Sequence, residues 1–172
     1  MGNARKMVRL FKSFPNYKSL MDMMNKKGLS GDFQDVMTMS WRLCLFLFFF
    51  FDNIRILSKI KFINFDEKAN MRRAAFFELL SHISKLLINL SKFNDLNDKL
   101  AAVGNEVKDR EQSQALNAQK TKVTWTILLS MIDIFVASNT VGLSKALGFK
   151  FNDGIIGAAG SISALIGGYW MY

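Results

Sequence analysis

Cys44, His82 and Pro15 are each the only residue of their kind in the chain. One cysteine excludes disulfides within the chain and Cys-based zinc sites. Cys44 lies in an apolar run, where a free thiol behaves as a small hydrophobe. One histidine excludes multi-His metal sites and catalytic arrangements that need a second imidazole; His82 is expected to be satisfied or solvent-facing. One proline suits long helices better than a loop-rich β architecture. No apolar run of useful length precedes Leu43, so no cleavable signal peptide is expected, and Lys6 stands where myristoylation requires Ser or Thr. A Gly-rich phosphate loop, a nucleophile elbow and paired His or Cys ligands are also missing. The chain is therefore not expected to be an enzyme, and neither a cofactor nor a metal is expected.

Charge is nearly absent from one end. Residues 125–172 carry only Asp133, Lys145, Lys150 and Asp153, which cancel. Residues 1–124 hold 21 of the 23 Lys/Arg and 12 of the 14 Asp/Glu, and so the whole net charge of +9. With half of all residues hydrophobic, a basic front joined to an uncharged, Gly-rich back is the plan of a membrane-attached protein. A pI near 9.8 invites nucleic-acid binding, but the basic residues accompany long apolar faces and no recognised fold signature appears. No nucleic-acid partner is expected.

Three regions follow along the chain. Residues 1–28 read as a basic helix with one apolar face, Met7, Leu10, Phe11, Phe14, Tyr17, Met21 and Met24, at spacings of three and four. Arg5, Lys6, Arg9, Lys12 and Lys18 fill the remaining arc, and Pro15 should kink or restart the helix. Such a segment suits an anionic membrane surface, with Arg5, Lys6, Met7, Arg9, Leu10, Phe11, Lys12 and Phe14 as the binding residues; packing against the rest of the protein is the alternative.

Residues 29–124 read as a linker (29–40), a helix from about Val36 to Lys61, a second helix over 70–93, and a polar stretch over 94–122. The uncharged run Leu43–Phe51 is nine residues long, short of the roughly 20 a membrane crossing needs. In the second helix Phe76, Leu79, Leu80, Ile83, Leu86, Leu87, Leu90 and Phe93 form an apolar stripe. Glu78, Ser81, Lys85, Asn89 and Lys92 are expected to face away. The stretch 94–122 is expected to be an exposed helix or a flexible connection.

Residues 125–172 contain two apolar stretches of 19 residues, Trp125–Leu143 and Gly154–Tyr172, joined by a loop. An antiparallel membrane-embedded hairpin is the natural geometry. Asp133, at the middle of the first stretch, costs about 2.5–3.5 kcal/mol of insertion and must face protein or water. Asp52 is a second candidate buried carboxylate. In the second stretch Gly160, Ala164 and Gly168 lie at i, i+4 and i+8, beside Gly157 and Ser161. They form a small-residue seam for close helix packing within or between chains. The expected fold is all-α, with N-terminal amphipathic helices and a C-terminal hydrophobic hairpin.

Three motifs in this order resemble the peroxin-11 family: Phe48–Leu57 with its aromatic-apolar-Asp-Asn pattern, Ile127–Ala137 enclosing Asp133, and Gly154–Trp170 with small residues, an apolar-Gly pair and an aromatic. Glycosomal membrane proteins are related. Ala4-Arg5-Lys6 with Arg9-Leu10 is similar to the family's basic amphipathic helix, though Pro15 interrupts it here. Family members usually carry an additional N-terminal helical region, which this sequence is expected to lack. The resemblance implies a protein of the peroxisomal or glycosomal membrane that promotes membrane elongation and organelle division. Membrane lipids, further copies of the chain and the organelle-division machinery are the implied partners. A small oligomeric channel, lined by groups such as Asp133, Ser130, Ser138 and Asn139, is the alternative.

Overall fold

The computed structural model describes residues 13–27, 31–103, 107–143, 148 and 152–171. Five helices occur among them: α1 (Ser13–Lys27), α2 (Phe33–Lys59), α3 (Glu67–Ala101), α4 (Val107–Val141) and α5 (Asp153–Met171). No strand occurs among the described residues. Residues 1–12, with Arg5, Lys6, Met7, Arg9, Leu10, Phe11 and Lys12, lie outside the description.

Local chemistry sets the boundaries. Asp66 caps α3, its carboxylate accepting from the Lys68 and Ala69 amides at 2.9 and 3.2 Å, which satisfies two of the orphan donors at a helix start. After α2 the chain turns through Lys61 in the left-handed region (φ 58°). The Phe62 amide there reaches back to the Leu57 carbonyl. Gly142, at φ 89°, follows the end of α4, a conformation that glycine adopts without steric cost.

Two expected boundaries move. Helix α2 begins at Phe33, inside the expected linker, because Gln34 donates to Ser91 Oγ (3.2 Å) and Asp95 Oδ2 (2.7 Å) and ties the first turn to α3. The polar stretch 94–122 is divided between the end of α3 and the start of α4. Helix α4 then runs unbroken across 124–125, where polar and apolar sequence meet.

The helices pack in chain order, α1 on α2, α2 on α3, α3 on α4 and α4 on α5. Ser40 meets Ser84 and Phe51 stacks on Phe77, so α2 and α3 run antiparallel. Lys120 lies over Phe93 and His82 approaches Asp133, so α3 and α4 do as well. Ser163 of α5 bonds Asp133 of α4. This register sets four apolar stretches side by side at one depth: Leu43–Phe51, the middle of α3, residues 125–141 and α5. Helices α3 and α4, at 35 residues each, are about 52 Å long. They overrun a hydrocarbon layer of about 30 Å, and their polar halves extend past the apolar belt.

Candidate membrane-embedded surface

The interior mixes small and polar side chains with a few large apolar ones, Ile56, Leu79, Ile88 and Leu96. Ser130 is 0% exposed and Ser81 1%, and Cys44, Asp52, Ala74, Ala75, Ser84, Asn89 and Ala137 are buried with them. Several of these polar groups are satisfied on their own helices, the condition for burying them. Ser81 Oγ donates to the Glu78 carbonyl, Asn89 Nδ2 to Lys85 and Ser130 Oγ to Thr126. Large apolar side chains point outward instead: Phe76 is 48% exposed and Leu165 74%, and Leu43, Phe50, Ile83, Leu87, Leu90, Leu128, Met131 and Ile155 are exposed too. This corrects the expected orientation of the second helix. Its apolar stripe is largely outside, while Ser81 and Asn89, expected to face away, are in the core. Leu79 alone of the stripe is buried. Small residues let helix backbones approach closely, and in lipid the large side chains have no drive inward.

Asp133 joins three helices. Ser163 Oγ of α5 donates to its Oδ1 at 2.6 Å, and His82 Nδ1 of α3 lies 3.8 Å from its Oδ2. Beside the pair is a cavity of about 90 Å³ lined by Glu78, His82, Asp133, Val136, Ala137, Thr140 and Gly160. The expectation for Asp133 is a buried carboxylate facing protein or water; it meets protein groups, but its side chain is half-buried. His82 and Ser163 are the partners that sequence spacing did not pair with it. Asp52 is buried and held by Arg55 at 3.2 Å, one helical turn on.

Apart from Gly160, which lines that cavity, the remaining site residues are not among the groups around Asp133. Gly157, Gly160, Ala164 and Gly168 are exposed, and a Cβ added at any of the three glycines would meet nothing within 4 Å. The side of α5 turned toward α4 carries Ile156, Ala159, Ser163, Ile166 and Gly167, all half-buried. Phe14, on α1, is 67% exposed. Cys44 is a buried free thiol, and no cluster of metal-ligating side chains occurs among the described residues.

Among the described residues one helix, Arg110–Val141, is long and apolar enough to cross a membrane, and Gly154–Gly168 is a shorter apolar helix beside it. Helix α5 itself spans 19 residues, Asp153–Met171. Polar side chains buried between helices, large apolar ones exposed and a long apolar helix define the class, a helical membrane protein. A family model described as Peroxisomal biogenesis factor 11 (PEX11) matches residues 1–172, the whole chain. The chain belongs to this family and is a peroxisomal membrane protein of peroxisome biogenesis and proliferation. The family is one of biogenesis factors and not a known family of enzymes. No curated protein and no solved structure matches the chain.

Proposed function

We propose that the protein elongates the peroxisomal membrane ahead of organelle division. In this reading the apolar belt of α2–α5 is embedded in the bilayer, and the basic N-terminal segment lies in one leaflet as a wedge. The observation that carries it is the outer stripe of α1. Phe14, Tyr17, Met21 and Met24, spaced by three, four and three, are all exposed; the adjoining Leu20 is buried and Tyr17 meets the Phe46 ring of α2. In the sequence, apolar positions at the same spacing occur upstream at Met7, Leu10 and Phe11.

The energetics are sufficient. Arg5, Lys6, Arg9 and Lys12 near an anionic surface contribute about 1 kcal/mol each. Burying Leu10, Phe11 and Phe14 adds at most about 1.5–3 kcal/mol apiece. Shallow insertion expands one leaflet and favours curvature, and the embedded belt keeps the wedge at the surface. Contact between copies through the exposed small-residue ridge of α5 concentrates the wedges, and division machinery acts on the tubule they form.

A peptide of residues 2–27 tests this. On anionic vesicles it becomes helical and draws tubules, and both effects vanish at high salt or with Phe11→Glu. A peptide that binds without deforming vesicles, while the full chain still elongates organelles, removes the wedge. The channel alternative is favoured by dye release without tubulation. The bonding of Ser130 to its own helix and of Ser163 to Asp133 supports packing over a water path.

A further inference from the structure

We propose that a groove between α2, α3 and α4 binds a single anionic glycerophospholipid, with its phosphate on Arg72 and Arg73 and an acyl chain along the aromatic floor. The groove holds about 590 Å³ and is lined by Phe51, Arg72, Arg73, Phe76, Phe77 and Val141. Its lining combines two chemistries. Three phenylalanines and a valine make the walls, with Phe51 and Phe77 stacked at 5.6 Å and only 3° from parallel. At the mouth stand two adjacent guanidinium groups. Arg73 lies 5.8 Å above the Phe51 ring.

These cations are available. The nearby carboxylate Asp52 is already held by Arg55 at 3.2 Å, and among the described residues no ion pair engages Arg72 or Arg73. Two adjacent arginines, Arg73 also resting over Phe51, present planar donor forks that match phosphate oxygens.

Position supplies the second argument. The long apolar helix ends at Val141, beside Arg72 and Arg73. The mouth therefore lies level with the end of the apolar belt, where headgroups sit, and the floor runs into it. A free phosphate would leave the aromatic floor unused, and a neutral lipid would leave both arginines unpaired. An anionic amphiphile uses the floor and the arginines. Basic pockets between membrane helices bind acidic headgroups by this logic. The inference uses the embedded belt of the proposed function but not the wedge.

The test uses the purified full chain in a neutral detergent, where membrane shaping plays no part, so failure here and failure of the wedge are distinguishable. Phosphatidylserine and phosphatidylcholine are titrated in turn and bound lipid is counted by native mass spectrometry. Phosphatidylserine adducts should dominate. The double variant Arg72→Gln/Arg73→Gln should lower them at least about tenfold, with phosphatidylcholine adducts unchanged. Arg72→Lys/Arg73→Lys should retain part of the binding, and Val141→Trp should lower it with both cations kept. Lys120→Gln/Lys122→Gln, at the other end of the belt, should change it less than about twofold. Millimolar inorganic phosphate should not displace the lipid. The proposal is overturned by equal binding of the two lipids, by equal losses at both ends of the belt, or by displacement with phosphate, which would mark an anion site alone. If Arg72→Gln/Arg73→Gln loses its helical circular dichroism, unchanged binding by folded Val141→Trp overturns it instead.

Discussion

Ser163 Oγ on α5 lies 2.6 Å from Asp133 Oδ1 on α4, a hydrogen bond that docks the last helix onto the only carboxylate of residues 125–141. Without it the carboxylate would keep His82 at 3.8 Å as its neighbour across the helix interface. Hydrogen bonds between membrane helices average about 0.6 kcal/mol and reach at most about 1.7 kcal/mol, so Ser163→Ala should destabilise the protein within that range. A double-mutant cycle with Asp133→Asn on unfolding in mixed micelles measures the coupling. A cysteine at Ala159 should meanwhile become more reactive to a maleimide when Ser163 is Ala. Zero coupling together with unchanged labelling would remove the bond from the docking of α5.

The inverted face of α3 makes a pair of neighbouring substitutions behave oppositely to those in a water-soluble bundle. Ser81 is buried among helices and Ile83 faces outward. Ser81→Leu should overpack the interface and cost about 1–3 kcal/mol, measured as a lower melting temperature in detergent. Ile83→Leu should be neutral. Ile83→Asp should cost up to about 2.5–3.5 kcal/mol of insertion and raise the fraction released by alkaline carbonate. Stabilisation by Ser81→Leu would contradict the packing described.

The ridge Gly160–Ala164–Gly168 is expected to act between chains, because a Cβ at Gly160 or Gly168 meets open space within this one. Ala164→Leu should therefore weaken crosslinked dimers and leave the melting temperature of the monomer within about 0.5 kcal/mol of stability. Undiminished crosslinking would take the ridge out of self-association.

The helical class, the apolar C-terminal region and the family were legible in residue order alone. The orientation of α3 was not, and the reason is physical. Periodicity locates an apolar face and a polar face, but which one turns inward depends on the solvent around the helix. Phe76, Ile83, Leu87 and Leu90 satisfy a core pattern in water and a lipid-facing pattern in a bilayer equally well. The clue was Ser81, Ser84 and Asn89, small or self-bonding side chains along the opposite face. The pairing of Asp133 with His82 and Ser163 was hidden for another reason. It joins residues on three different helices, and only the register of α3, α4 and α5 brings them together. The tie of Gln34 to Ser91 and Asp95 moved the start of α2 by the same kind of distant contact.

The shared depth of α3–α5 is tested most directly by spin labels in vesicles. With Cys44→Ser as background, single cysteines at Ile83, Leu128 and Leu165 report on the belt, and cysteines at Asp98 and Ser113 report on the polar halves of α3 and α4. The three belt positions should relax strongly with oxygen and weakly with a water-soluble nickel chelate, at closely similar depths. Asp98 and Ser113 should show the reverse. Belt labels as open to the nickel chelate as Asp98 and Ser113 would contradict a bilayer-embedded belt.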